Sequence, residues 1–193
     1  LGERSFYEKY FQIPSVTYKP QKLNENIDLA IWDFKACLKE YVSFYIRSEK
    51  LYEIFFGNQV VKKLIEAAPA LKELSVLGKA TSGPRNIGPK VIYDHIIIDS
   101  YSMGHHKALL KGPKAISKVI HRGPMGHHSE KINEIIVDPK WTSHFIVMKP
   151  EELPTQEGLE LFWDLKKDLG IQSQIIMNMY LEPPISIDEI EKI

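Results

Sequence analysis

The sequence predicts an α/β protein with a mostly parallel sheet, flanking helices and a helical insertion. Short apolar strands alternate with helical segments along the second half of the chain, which is the order that builds parallel sheets. One of these strands is rich in Ile and lies between turn signals, as expected of a buried strand. The 193 residues are enough for one sizeable core. We therefore treat residues 1–193 as a single domain with a helical region at about 33–80.

The first half of the chain is predicted to be mainly helical. An aromatic-rich helix ends at Pro14, and the alternation over residues 26–32 predicts a strand. Asp33 can then cap a helix whose apolar residues recur every three or four positions. Further helices are predicted from about Ser48, from about Asn58 and over residues 71–77.

The second half alternates between strands and helices. The Ile-rich strand ends at Asp99, and a helix is predicted beyond the loop that follows it. The later elements are a helical stretch over 113–137 interrupted at 121–128, a strand over 144–148, a helix from Pro154 to Leu169 and a strand over 173–179. Gly170 is the expected stop signal of the last helix.

The composition is that of an ordinary globular protein. The 25 Lys and Arg residues balance 25 Asp and Glu residues, so no nucleic-acid partner is expected. The single cysteine, Cys37, excludes an internal disulfide and fits a reducing compartment. No apolar run approaches the roughly 20 residues of a membrane span, and no signal segment opens the chain. We therefore expect a cytoplasmic protein.

The most informative segment is the end of the Ile-rich strand. It reads Tyr93-Asp-His-Ile-Ile-Ile-Asp-Ser-Tyr-Ser-Met-Gly-His105. Ligands of parallel sheets bind outside the carboxyl ends of the strands. Asp99 is therefore a candidate for orienting a nucleotide-bound magnesium ion, and Gly104 for offering its backbone N–H to a phosphate. The alternatives are an acid that caps the next turn and a plain turn glycine.

The seven histidines include two adjacent pairs, His105-His106 and His127-His128. Adjacent histidines rarely converge on one metal ion, and Cys37 is distant in sequence. We expect these to be surface or loop histidines, with a histidine-bound metal as the alternative.

A complete phosphate-binding loop is absent from the 193 residues. The segment Gly83-Pro-Arg-Asn-Ile-Gly-Pro-Lys90 approaches the pattern Gly-x4-Gly-Lys-[Ser/Thr], but Pro89 removes a backbone donor and no Ser or Thr follows the Lys. The segment also precedes a strand instead of following one. It is predicted to be a connecting loop.

Three segments together resemble the ArsA-type ATPases, the family of arsenite-pump ATPases and of targeting factors for tail-anchored membrane proteins. Residues 93–105 are similar to that family's strand and switch II, which reads Asp-Thr-Ala-Pro-Thr-Gly-His-Thr. Pro150-Glu-Glu-Leu-Pro-Thr-Gln-Glu157 resembles its Pro-Glu-x5-Glu segment, and Ile175-Ile-Met-Asn178 resembles its strand ending in an adenine-recognising Asn. The order and spacing of these three segments agree with those of the family over about residues 91–182.

The resemblance implies a nucleotide-driven conformational switch that binds ATP and magnesium. Asp99 would hold magnesium through water, and Gly104 would sense the γ-phosphate. The implied site residues are Asp99, Gly104 and His105 for catalysis, with Asp99 at the metal, and Pro150, Glu151 and Asn178 around the base.

The resemblance also implies a loop Gly-Lys-Gly-Gly-Val-Gly-Lys-Thr before Leu1. We therefore expect a P-loop NTPase-like domain that lacks its first βα unit and is inactive alone. The chain departs from the family pattern where Ser102 replaces a Pro and Gly158 replaces a Thr. A homodimer and a transporter or membrane-protein partner follow from the resemblance only. The alternative is a non-catalytic interaction or regulatory protein on the same fold.

Overall fold

The computed structural model describes residues 6–45, 50, 54, 57–59, 69–87, 92–100, 103–119 and 124–181. Within them the elements are α1 (Phe6–Tyr10), β1 (Gln21–Lys22), β2 (Asp28–Leu29), α2 (Phe34–Tyr45), α3 (Pro69–Ala80), α4 (Ser82–Arg85), α5 (Met103–Val119), α6 (Pro124–Val137), β3 (Phe145–Met148), α7 (Glu152–Leu169) and β4 (Gln174–Met177). The chain divides into two compact units, Leu1–Thr142 and Ser143–Ile193, which are treated separately below.

The core of the first unit lies among four helices. Helix α3 packs against α2, α5 and α6, and α5 also packs against α6. Leu74 of α3 and Ile132 of α6 are almost completely buried. Burying a side chain of this size stabilises a fold by about 1.5–3 kcal/mol, so each of these two residues contributes substantially to the stability of the unit.

Helix α2 begins where the sequence predicts. The two carboxylate oxygens of Asp33 accept hydrogen bonds from the backbone N–H groups of Lys35 and Ala36, at 3.3 and 3.1 Å. These bonds satisfy donors that the first turn of a helix leaves open. The predicted cap is confirmed. The helices predicted from Ser48 and Asn58 fall largely outside the described residues.

A polar cluster fastens the N-terminal loop to α2 and α3. The Nζ atom of Lys79 lies 2.6 Å from Oε2 of Glu40, which also accepts a hydrogen bond from the Tyr18 hydroxyl. The same ammonium lies over the rings of Tyr18 and Trp32. Burial, followed by the bond to Glu40, raises the pKa of Tyr18, so the phenol keeps its proton.

The Ile-rich segment differs from the prediction. Residues 92–100 form neither helix nor strand, and Ile97 is 95% exposed. The prediction of a buried strand is wrong for this chain, because a strand exists only when a neighbour takes up its backbone hydrogen bonds. The mostly parallel sheet is likewise not seen in the described residues, which contain one antiparallel pair, β1–β2, and one parallel pair, β3–β4.

The second unit follows its prediction closely. Strands β3 and β4 pair in parallel, and α7 packs on β3, burying Ile146 and Met148. Helix α7 ends at Gly170, whose φ of 73° is in the left-handed region. The N–H groups of Gly170 and Ile171 bond back to the last turn of α7, at 3.1 and 3.2 Å. This is the expected glycine stop signal.

Gly158 allows α7 to approach β3. A Cβ atom at this position would lie 2.6 Å from Cε and 3.2 Å from Sδ of Met148. The Met148 side chain therefore fills the space that a side chain at 158 would need. The Gly that replaces the expected Thr at this position is explained by this contact.

Gly158→Val is expected to lower the free energy of unfolding by about 1–3 kcal/mol, because the added atoms overpack the contact with Met148. Urea denaturation followed by circular dichroism measures the change. In the double variant Gly158→Val/Met148→Ala part of this loss should be recovered, since the shortened side chain frees the space. Leu159→Val, at an exposed neighbour on α7, controls for the β-branched side chain. Equal losses in Gly158→Val and Leu159→Val would contradict the packing account.

Candidate functional site

Asp99 lies near the end of the Ile-rich segment, which hydrogen bonds hold at both ends. The hydroxyl of Tyr7, on α1, donates a hydrogen bond of 3.4 Å to Oδ2 of Asp99. At the other end the hydroxyl of Tyr93 donates a 2.8 Å bond to Oδ2 of Asp28, on β2. Two tyrosine–aspartate hydrogen bonds thus hold the segment, which contributes the acceptor Asp99 to one and the donor Tyr93 to the other.

The pKa values of both tyrosines are raised. Burial and then the charge and hydrogen bond of Asp99 raise the pKa of Tyr7. The hydrogen bond to Asp28 is the largest cause that raises the pKa of Tyr93. Sequence reasoning missed both pairs, because their members are 92 and 65 residues apart. No local pattern carries that information.

Gly104 and His105 belong to the first turn of α5 and not to a loop. The first four N–H groups of a helix have no acceptor within the helix and form its positive end. A Cβ atom at position 104 would meet nothing within 4 Å. The described fold therefore does not require a glycine at this position.

The segment and the helix are linked by a side-chain contact. Oγ of Ser100 and Nδ1 of His106 are 2.8 Å apart. This contact joins the end of the segment that carries Asp99 to the first turn of α5. The predicted residues Asp99, Gly104 and His105 thus lie on two consecutive, hydrogen-bonded pieces of chain.

The other predicted site residues follow the strands of the second unit. Pro150 and Glu151 come directly after β3, and Asn178 comes directly after β4. The N–H of Asn178 donates a 2.7 Å bond to the carbonyl of Met148, so the parallel pairing extends to the strand ends. Lys149 lies 3.6 Å from Oε1 of Glu151.

One of the two polar groups of the Asn178 side chain is hydrogen-bonded. Its Oδ1 accepts a 2.9 Å hydrogen bond from the N–H of Met179, whose φ of 58° is left-handed. Its amide NH2 makes no hydrogen bond within the described part of the chain. That NH2 is a donor that a polar ring edge of a ligand can accept.

The histidine pairs lie on helices. His105 and His106 begin α5, while His127 and His128 lie on α6 with ring centroids 6.1 Å apart. None of the four lies in a loop, but His105 and His127 are exposed, as expected of surface histidines, whereas His106 and His128 are half-buried. Over the ranges that the structure describes, no three His, Cys, Asp or Glu side chains converge as a metal site would need.

A magnesium ion needs fewer protein ligands than such a metal site. It commonly keeps several waters and takes one or two carboxylates together with substrate phosphates. The exposed carboxylate of Asp99, close in sequence to the N–H groups that open α5, fits that donor set. None of the helices in the described ranges is long and apolar enough to cross a membrane.

Comparison with known proteins finds one distant similarity to report. No family model matches the chain. A protein of Halobacterium salinarum, with the provisional name arsenical pump-driving ATPase, is 25% identical over 187 residues. The match covers 87% of this chain, and the chain spans 28% of the length of that relative. This similarity supports the resemblance to ArsA-type ATPases that the three motifs indicate.

His128 lies beside a cation. Arg85 of α4 donates from Nε to the carbonyl and Oγ1 of Thr81, at 3.3 and 3.0 Å, and its Nη2 bonds to the carbonyl of Gly78. Burial, then the charges of Arg85 and His127, lower the pKa of His128. The folded protein therefore favours the neutral imidazole.

The lowered pKa of His128 predicts a loss of stability in acid. Well above about pH 6.5 the imidazole is neutral in both states; as pH falls through that value, the unfolded chain takes up the proton first, so unfolding is favoured. His128→Gln should lose less unfolding free energy than the wild type between pH 7.5 and 5.5, measured by urea denaturation. His127→Gln, at the exposed neighbour, should keep most of the wild-type slope. Equal slopes in the wild type and His128→Gln would contradict the assignment.

Proposed function

We propose that the chain carries the switch II and base-binding parts of an ArsA-type ATPase site for ATP and magnesium. The observation that carries the proposal is Gly104, which opens a helix five residues after an exposed acid and has open space where a side chain would be. The similarity to an arsenical pump-driving ATPase supports the same conclusion.

Each of the three proposed catalytic residues would have a separate role. Asp99 would hold a water on the magnesium ion, which neutralises charge on the transferred phosphate. The Gly104 N–H would donate to the terminal phosphate, aided by the positive end of α5. His105, in the same first turn, is proposed to lie beside that phosphate.

Loss of the terminal phosphate would be transmitted through α5. Once the phosphate leaves, the Gly104 N–H loses its acceptor, so the first turn of α5 is free to move. The contact between Ser100 and His106 would carry that movement to the segment bearing Asp99. Switch behaviour would thus arise from one hydrogen bond gained or lost.

The second unit would hold the base. The amide NH2 of Asn178 is the proposed donor to the adenine edge. Pro150 and Glu151, next to the same strand ends, would flank the ring. This assignment rests on the resemblance and on the parallel strand ends that meet at Met148 and Asn178.

The purified 193-residue chain is expected not to hydrolyse ATP at a useful rate. Its sequence contains no Gly-Lys-[Ser/Thr], so the lysine that neutralises the β- and γ-phosphates is missing. Phosphate release from MgATP measures the rate, with Asp99→Asn as the background. Magnesium-dependent turnover above that background would overturn the proposal of an incomplete site.

Gly104→Ala is expected to separate binding from stability. Alanine is a better helix former, so the free energy of unfolding should rise by up to about 1 kcal/mol. The added methyl group should block close approach of a phosphate to the backbone N–H. In wild-type NMR titrations with millimolar MgATP, the amide signals of Gly104 and Asn178 should shift, and the shift at position 104 should disappear in the variant.

Two results would contradict these expectations for Gly104 and Asn178. Unchanged amide signals in the wild type at millimolar MgATP would remove the nucleotide proposal for these residues. A destabilised Gly104→Ala variant would mean that the fold requires the glycine. Ala108→Gly, at an exposed position on the same helix, is the reverse substitution and should lower stability without altering the MgATP shifts.

A non-catalytic interaction protein on the same fold is the second candidate function. It is favoured by the many exposed apolar side chains at and after β4, which are Ile175, Ile176, Met177, Met179, Tyr180 and Leu181. Silent NMR titrations with MgATP would favour this reading. A transporter or membrane-protein partner is proposed from the resemblance alone.

A further inference from the structure

A cleft lies in the first unit, lined by residues of α2, α3 and α4 and by Ile87 just after α4. Its enclosed part has a volume of about 40 Å³, and the whole cleft, which opens to solvent, holds about 350 Å³ of empty space. A water molecule needs about 10–15 Å³ of enclosed space. The enclosed part therefore has room for a group of a few atoms, and the body of any larger ligand must lie in the open part.

Arg85, at the end of α4, supplies a fixed positive charge to the wall of this cleft. It belongs to the Gly- and Pro-rich segment 83–90, which the proposed nucleotide site does not use. Its Nε donates to the carbonyl and Oγ1 of Thr81, and its Nη2 donates to the carbonyl of Gly78. Bonds to these neutral acceptors hold the guanidinium in place and leave its charge intact.

The other charged groups of the cleft neutralise each other. Nζ of Lys79 lies 2.6 Å from Oε2 of Glu40, and both residues line the cleft. Burial raises the pKa of the Cys37 thiol, at the same wall, to about 11, so the thiol is uncharged at neutral pH. The described lining residues thus include two cations and one carboxylate, which leaves one net positive charge, at Arg85.

Aromatic rings form the apolar side of the cleft. Tyr41 and Phe44 are three residues apart on α2, so they lie on the same helix face. Gly78 of α3 has no side chain, and a Cβ atom there would lie 3.3 Å from Cδ2 of Tyr41. The Tyr41 ring therefore lies close to the backbone of α3, while Phe44 is 46% exposed. Ile87, whose N–H donates a 3.1 Å bond to the carbonyl of Ser82, adds a further apolar side chain.

We propose that this cleft binds a small organic anion, with a carboxylate beside Arg85 and a single apolar ring against Tyr41 and Phe44. A hydrogen bond between a guanidinium and a carboxylate is stronger than one between neutral groups, so the charge selects an anion. The enclosed space is too small for a nucleotide. The inference does not depend on the nucleotide proposal, because none of the described lining residues belongs to that site.

The first test is an NMR titration of the 193-residue protein with sodium benzoate at constant ionic strength. The amide signals of Phe44 and Gly78 should shift and reach saturation, with a dissociation constant in the millimolar range. Benzamide, which has the same ring and no charge, should bind at least about tenfold more weakly. Signals that stay unchanged up to about 50 mM benzoate would overturn the proposal, and so would equal affinities for benzoate and benzamide.

A ring deletion tests the apolar side of the cleft. Phe44→Ala should weaken benzoate binding about twofold to tenfold, because the ligand ring loses an aromatic neighbour. Phe11→Ala removes a ring of similar exposure, 44% against 46%, outside the cleft and should leave the affinity unchanged. Circular dichroism verifies that both variants are folded. Equal affinities in the wild type and Phe44→Ala would contradict the proposed position of the ring.

The histidine near Arg85 tests the position of the carboxylate. The pKa of His128 is lowered by burial and then by the charges of Arg85 and His127. An anion beside Arg85 cancels part of that charge, so saturating benzoate should raise the pKa of His128, and benzamide should not. The ring signals of His128 over a pH series measure the change, with the exposed His95 as the internal control.

Two outcomes decide the assignment of the carboxylate to Arg85. A pKa of His128 that is the same with and without saturating benzoate would overturn it. Arg85→Gln should weaken benzoate binding at least about tenfold and should remove the effect of benzoate on His128. The wild-type titration gives the answer even where loss of the Arg85 bonds to Thr81 and Gly78 unfolds this variant.

Discussion

The main constraint on the first unit is that backbone N–H and C=O groups need hydrogen-bond partners, which a helix finds within itself and a strand must find in a neighbour. Helices satisfy theirs internally, so α2, α3, α5 and α6 complete a core in which Leu74 and Ile132 are buried. The Ile-rich segment has no such partner in the described residues and forms neither helix nor strand, and its Ile97 is exposed. The proposed nucleotide site lies at the same boundary, because Asp99 ends this segment and Gly104 belongs to the first turn of α5.

The parts that could be predicted from sequence are those decided by neighbouring residues. Asp33 caps α2 through N–H groups two and three positions away, and Gly170 ends α7 through its own left-handed φ. The pairing of β3 with β4 also followed, because α7 is a single helical connection between two short strands. The strand predicted to end at Asp99 failed for the opposite reason. Its residues have the right propensity, but a strand needs a partner that propensity cannot supply.

In the candidate site, too, only the features that neighbouring residues decide could be predicted. The order of the acid, the glycine and the histidine was visible in the sequence, and their presence on two linked pieces of chain follows from it. The Tyr7 hydroxyl at Asp99 could not be foreseen, since it depends on where α1 packs. Gly158 is an intermediate case. It was recognised as a departure from the family pattern, but its cause, Met148 on the neighbouring strand, became visible only in the packed structure.

Asp99 links the proposed nucleotide site to the start of the chain. Its carboxylate accepts a hydrogen bond from Tyr7 of α1, and in the proposed site it would also hold a magnesium-bound water. Two interactions that share one group change each other's free energy by the same amount, whichever forms first. Where the nucleotide proposal holds, binding of magnesium nucleotide should therefore alter the Tyr7–Asp99 contact, and removal of the Tyr7 hydroxyl should alter the affinity for magnesium nucleotide by the same factor.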